Sequence, residues 1–295
     1  MELRHLRYFI AAAEHKSVRE ASEHLHITQP AISRQIQDLE SELGVRLLER
    51  SPRGLVLTRA GESYLRDVRK VMTALDEAAQ SAQRIAAGKQ GRLRLGYVEN
   101  MGWDGMLPST LHRFQIDVPD VRVELTALNS PEQLRAISDE ILDGGFIYQY
   151  GALPDEFTAF PLACHDVVLA IPRAWGIDSD ESLPLNIRLL ADRPFVMLPR
   201  SAYVSYYDRL IGACQKCGVE LNVVQEATTE AAILSLVCAG IGAAIVNSAN
   251  LGRPPAQVQF FRLKDLSIPM PLAFVHRKGA SNPILTRFLS LFQPG

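Results

Sequence analysis

Between Ser17 and Gly44 the chain reads SVREASEHLHITQPAISRQIQDLESELG, and local rules leave it few shapes. Ser17 followed by Glu20 fits a capping box, which predicts a helix over 18–25 that buries Ala21 and Leu25. His26 and Ile27 form a tight turn. Thr28 is an N-cap residue, and Pro30 falls in the first turn of a second helix, where its missing N–H costs no bond. Ile32, Ile36, Leu39 and Leu43 step by four, three and four residues and so share one buried stripe. Gly44 ends the helix as a C′ glycine does. Gln29, Ser33 and Gln37 recur on another face at four-residue steps, with Arg34 beside them. Such a helix can enter a major groove, where Arg reads guanine and Gln reads adenine. Taken alone, the same row also suits an ordinary solvated face.

The flanking sequence favours the groove. A helix is expected over 3–15, with Leu3, Leu6, Phe9, Ile10 and Ala13 inward. VRLLERSPRGLVLT reads as two short strands around a Ser51–Gly54 turn, a wing that carries Arg50 and Arg53 towards phosphates. From Thr58 a long helix runs to about Ala87. Along it Tyr64, Val68, Val71, Leu75, Ala78, Ala82 and Ile85 form a heptad seam. The seam reads as a dimerisation surface, with packing onto the helix's own domain as the competing reading. GKQG at 88–91 reads as a hinge. Residues 1–95 hold 16 Lys/Arg against 12 Asp/Glu, whereas the remainder holds 15 against 21. A mildly basic head on an acidic body suits DNA at one end only.

Residues 92–295 alternate strand and helix, which implies an α/β body with mainly parallel sheets. So long a segment suits two lobes with a ligand cleft at the strand ends between them. The charged N-terminus MELRHLRYFIAAAEHK is unlike a signal peptide, and no apolar run approaches a membrane span, so a cytoplasmic location is expected. Four cysteines are no disulfide framework, and seven scattered histidines show no metal spacing. No nucleophile elbow, phosphate loop or paired catalytic carboxylate stands out. We therefore expect no enzyme activity and no cofactor.

At this point the sequence resembles the LysR-type transcriptional regulators over its whole length. The specific part is residues 2–65, which carry Ser17, Ala21 and Leu25, then Gln29-Pro30-Ala31-Ile32-Ser33, Leu39-Glu40, Leu43-Gly44, Arg50, and Leu57-Thr58-Arg59-Ala60-Gly61. Leu142, Asp143, Gly145 and Phe146 match a second motif, with Glu140 where a glycine is usual; Asn247 replaces a usual proline. The resemblance implies an all-α winged helix–turn–helix over 1–58 and a linker helix and hinge over 59–91. It implies a two-lobed Rossmann-like effector domain over 92–295, with lobe I at 92–162 and 267–295 and lobe II at 163–266. It further implies control of double-stranded promoter DNA by a small-molecule effector, homodimers paired into homotetramers, and contact with RNA polymerase. Gln29, Ser33, Arg34 and Gln37 would read DNA, Thr28 and Pro30 would hold the helix start, and Arg50 and Arg53 would bind the backbone.

For the effector, Glu99, Asn100 and Met101 follow the first body strand, and Asn129 and Ser130 precede a helix whose N-terminus favours an anion. Arg200, Ser201 and Tyr203 occupy a strand-to-helix turn, and Thr228 and Thr229 precede another helix; Tyr148, Asn247 and Ile268 complete the set. The convergence suits a small carboxylate or aromatic acid, although Glu99 opposes an anion and suits a cation. Capping of an unliganded core explains the same residues singly. Cys214 and Cys217 invite a redox or zinc reading, against a plain helix-packing role. The rival from another class is a two-lobed binding protein with no role in gene control.

Overall fold

The structure, a computed structural model, describes residues 1–52, 54–102, 105–177 and 183–292. It divides into two compact units, Met1–Gln83 and Arg84–Gly295.

The first unit holds α1 (Leu3–His15), α2 (Val18–Leu25), α3 (Gln29–Leu43), β1 (Leu48–Ser51), β2 (Gly54–Leu57) and most of α4 (Arg59–Ala86). Half of the expected capping box forms: the Ser17 hydroxyl accepts the Glu20 N–H at 3.3 Å. Thr28 caps α3 through its carbonyl, which accepts from Ala31 and Ile32, while its hydroxyl makes no cap bond. Ile32, Ile36 and Leu39 are buried as their spacing requires. Leu43 and Leu3 instead lie at helix ends and stay exposed, 37% and 45%. Glu40 Oε1 accepts the N–H groups of Leu47 (2.7 Å) and Leu48 (3.0 Å), fastening α3 to the chain that enters the β1–β2 wing. On α4, Leu65 and Val68 pack into the core of this unit, whereas Val71 and Ile85 are more than half exposed. The competing reading, packing onto the helix's own domain, therefore holds for the turns of Leu65 and Val68, while the turns of Val71 and Ile85 stay uncovered.

In the second unit the chain runs through β3 (Gly91–Tyr97), α5 (Met106–Asp117), β4 (Val121–Ala127), α6 (Ser130–Ser138), β5 (Gly144–Tyr148) and β6 (Phe157–His165). It continues through β7 (Val167–Pro172), β8 (Pro194–Met197), α7 (Val204–Lys216), β9 (Asn222–Glu226), α8 (Glu230–Cys238), β10 (Ala244–Asn247) and β11 (Val258–Arg262). It returns through β12 (Met270–Arg277) and α9 (Pro283–Leu289).

Lobe I is a five-stranded sheet in the order β4-β3-β5-β12-β6, and lobe II is built on β10-β7-β11 and β8-β9. The expectation of mainly parallel sheets needs correction. β3 is parallel to β4 and β5, and β8 to β9, but β12 is antiparallel to both neighbours and β7 to both of its own. The cause is the double crossing: β6 carries the chain out of lobe I and β12 brings it back the opposite way.

The sequence reading also missed β6. Pro161 argues against a strand, since it cannot donate to a ladder. β6 tolerates it as an edge strand, and the register shift that skips Leu162 falls beside it, opposite Leu272 and Ala273. Glu140 adopts the left-handed conformation (φ 58°) that a glycine would take freely, and its carboxylate pairs with Arg277. Asp143 accepts the Arg94 backbone N–H at 2.7 Å and grips its guanidinium with both oxygens. Gly88, in the segment read as a hinge, is buried against the backbone of Pro283 at the start of α9.

Candidate functional site

Two sets of side chains stand out, one in each unit. In the first unit Gln29, Arg34 and Gln37 are exposed along α3 and Ser33 is half-buried between them. The four-residue steps that aim Ile32 and Ile36 inward aim this row outward. Thr28 and Pro30 are exposed at the start of the same helix, and Arg50 is exposed on β1. Arg53 lies outside the described residues.

In the second unit a cavity of about 640 Å³ lies between the lobes. Nearly all its walls come from segments that follow strands. Glu99 and Asn100 stand in the 3-10 turn after β3, Asn129 and Ser130 at the start of α6, and Tyr148 at the end of β5. Ser201 and Tyr203 precede α7, and Thr228 and Thr229 precede α8; all these candidates line the cavity.

Four candidates do not line it. Met101 points into the apolar core and is fully buried. Arg200 is exposed and forms a two-point ion pair with Asp208, at 2.8 and 2.9 Å. Ile268 is buried where the chain returns to lobe I, its N–H held by Asp166 at 2.7 Å. Asn247 is fully buried, and its own N–H donates to Glu230 Oε1 at 3.2 Å.

Glu230 is one of the wall residues that sequence reasoning missed, with Glu132, Tyr150 and Tyr206. An acid in the first turn of a helix is what the helix dipole favours in any case, so nothing local marked it. Its Oε2 accepts from Asn250 Nδ2 (2.8 Å) and, across the lobes, from Asn100 Nδ2 (3.1 Å). Burial raises its carboxyl above the ordinary range, the negative charge of Glu99 pushes the same way, and these hydrogen bonds oppose both. Tyr150 and Tyr206 also line the cavity, and burial drives both phenols far up; that of Tyr203 rises to about 12. A second bond between lobes runs from the Tyr203 hydroxyl to the Tyr148 carbonyl, at 2.8 Å. Among the described lining residues there is no Lys, Arg or His.

Cys214 is buried in the core and its thiol is pushed up to about 12, chiefly by desolvation. The thiolate is the reactive form, so this cysteine is poorly placed for redox chemistry. Cys217 Sγ donates to the Asp265 carbonyl. No cluster of potential metal ligands occurs among the described residues, and none of their helices is long and apolar enough to cross a membrane.

Residues 3–62 match the family described as bacterial regulatory helix-turn-helix protein, lysR family, and residues 86–294 match the LysR substrate binding domain. The HTH-type transcriptional regulator AlsR of Bacillus subtilis is 34% identical over 99% of this chain and 95% of its own length. BudR of Raoultella terrigena is 30% identical over 99% of this chain and all of its own. The crystal structure of CbnR, a LysR family transcriptional regulator, superposes with a TM-score of 0.86 at 30% identity, covering 99% of this chain and 100% of that one. Full-length CbnR complexed with its target DNA gives 0.82 at 30% identity, covering 98% of each chain. A groove-fitting helix ahead of a two-lobed pocket thus has matching relatives along the whole chain, which belongs to the LysR family and is a transcriptional regulator rather than an enzyme.

Proposed function

We propose that α3 reads promoter DNA through Gln29, Arg34 and Gln37, with Ser33 in support and Thr28 and Pro30 fixing the start of the helix. Arg50 and Arg53 take the phosphate backbone from the wing. One observation carries this reading: Gln29, Arg34 and Gln37 are exposed, and among the described residues no hydrogen bond or ion pair holds their side chains. Arg34 in this respect differs from Arg19 on α2, which pairs with Glu23 four residues on. The similarity to CbnR, solved with its target DNA, points the same way.

The exposed turns of α4 pair two copies, which sets two recognition helices on a two-fold-related site. Two such dimers form the DNA-bound tetramer, which contacts RNA polymerase in the cytoplasm. A small molecule fills the cavity between the lobes. Binding energy that differs between open and closed lobes shifts the arrangement of the DNA contacts.

The test is a gel shift with DNA from upstream of the chain's own gene. Arg34→Ala should weaken binding by about 1–3 kcal/mol per copy, roughly 5- to 150-fold, and flatten base preference at one position of each half-site. Unchanged affinity and an unchanged footprint would remove Arg34 from the reading surface.

A further inference from the structure

Resting on the reading that the interlobe cavity is the effector site, we propose that its effector carries a protonated amine, or a comparable organic cation, held by Glu230 and the surrounding tyrosines. Charge is the first argument. Glu99, Glu132 and Glu230 line the cavity without a basic side chain among the described lining residues. The starts of α6, α7 and α8 oppose these charges, but a helix N-terminus carries only roughly half a unit charge. Three such ends offset about half of three carboxylates, so the field stays negative. An effector whose only charge is a carboxylate would enter that field with no counter-ion.

The second argument is how Glu230 is held. Three donors fix it: the Asn247 N–H on Oε1, and the Asn100 and Asn250 amides on Oε2. A carboxylate oxygen accepts about two hydrogen bonds, so Oε1 keeps one place for a ligand donor. Asn247 has an N–H to give, as a proline there would not, and it spends it on Glu230.

The third argument is the wall. Tyr148, Tyr150, Tyr203 and Tyr206 surround the same space, with Tyr150 centred 5.5 Å from Tyr203 and 6.2 Å from Tyr206. Aromatic faces are electron-rich and favour ammonium groups, most strongly away from water. The buried Tyr150 hydroxyl has no hydrogen-bond partner among the described residues. Arg209 packs over the Tyr150 ring and donates to the Tyr150 carbonyl, without lining the cavity.

Calorimetry on the full chain tests the proposal with three probes of one skeleton: phenethylamine, phenylacetate and 2-phenylethanol. The amine should bind, and the acid should bind at least about tenfold more weakly. Glu230→Gln should weaken the amine about tenfold or more, and Glu99→Gln, at an exposed position that leaves folding intact, by about threefold. Phenylacetate binding as tightly as the amine overturns the proposal. So does the absence of heat from both phenethylamine and tetramethylammonium at tens of millimolar, or an amine affinity unmoved in both variants. Gel shifts on the same preparations without any probe keep the two readings apart: a chain that binds amines but no DNA refutes only the regulatory reading, and the converse refutes only this one.

Discussion

Gly61→Ala is expected to destabilise the DNA-binding unit strongly while the effector unit still folds. Gly61 sits in the first turn of α4, buried against the chain that leads into the wing. A methyl group there would stand 2.0 Å from the Leu47 carbonyl oxygen and 2.9 Å from its carbon. Backbone cannot rotate away as a side chain can, and this stretch is fixed from several sides. The Leu47 carbonyl accepts the Thr58 N–H at 2.9 Å, and the Thr58 hydroxyl donates to the Arg46 carbonyl at 2.8 Å while accepting the Gly61 N–H at 2.9 Å. Overpacking costs about 1–3 kcal/mol where side chains can adjust, so about 3 kcal/mol or more is expected here. That is a large share of the stability of so small a unit. Its unfolding midpoint should fall by roughly 12 °C or more, at about 4–8 °C per kcal/mol for a domain of this size. Differential scanning calorimetry should show that loss, with the transition of the second unit, Arg84–Gly295, retained. A fall below about 4 °C would mean that α4 can move off the wing freely.

The same contact explains why the head was legible in sequence. Thr58 and Gly61 belong to a local code in which the hydroxyl caps and the missing side chain permits close approach. The spacing of Ile32, Ile36 and Leu39 is likewise a local code. Where the code fails, the position is terminal: Leu43 and Leu3 keep the period, but no neighbour reaches over the helix ends to cover them.

The effector unit was less legible because its site is assembled over long distances. The strand ends singled out in the sequence place Asn100, Ser130, Tyr203 and Thr229 along the cavity. Glu230, by contrast, gains its place from Asn100, 130 residues earlier in the chain, and from Asn250, 20 residues later, and no window of sequence holds all three. Arg200 was misplaced for the opposite reason. Its partner Asp208 is close by, but a residue eight positions on, in the next helix, leaves no periodic mark. Met101 alternates with Asn100 in a tight turn, so one faces the cavity and the other the core.

At the crossover between the lobes, Asp166→Ala should lower the unfolding midpoint of the effector unit by roughly 4–16 °C, from the loss of about 2–4 kcal/mol. Asp166 Oδ1 accepts the N–H groups of Val167 and Ile268, both at 2.7 Å, and Oδ2 accepts the Ser267 hydroxyl at 2.7 Å. Its backbone exchanges bonds with Ser248 as well, since its N–H donates to the Ser248 hydroxyl and its carbonyl accepts the Ser248 N–H. One carboxylate thus clasps the outgoing strand to the returning one. Alanine leaves two partly buried N–H groups unpaired, each costing about 1–3 kcal/mol. Asparagine keeps an acceptor for them and should lose less than half as much. On the proposed mechanism, in which an effector shifts the lobes about this crossover, Asp166→Ala should also blunt the change in DNA footprint at saturating effector. A midpoint unchanged in Asp166→Ala would show that the two crossing strands are held by their sheet bonds alone. A midpoint equally low in the asparagine variant would mean that the negative charge, rather than its acceptor geometry, holds the crossover.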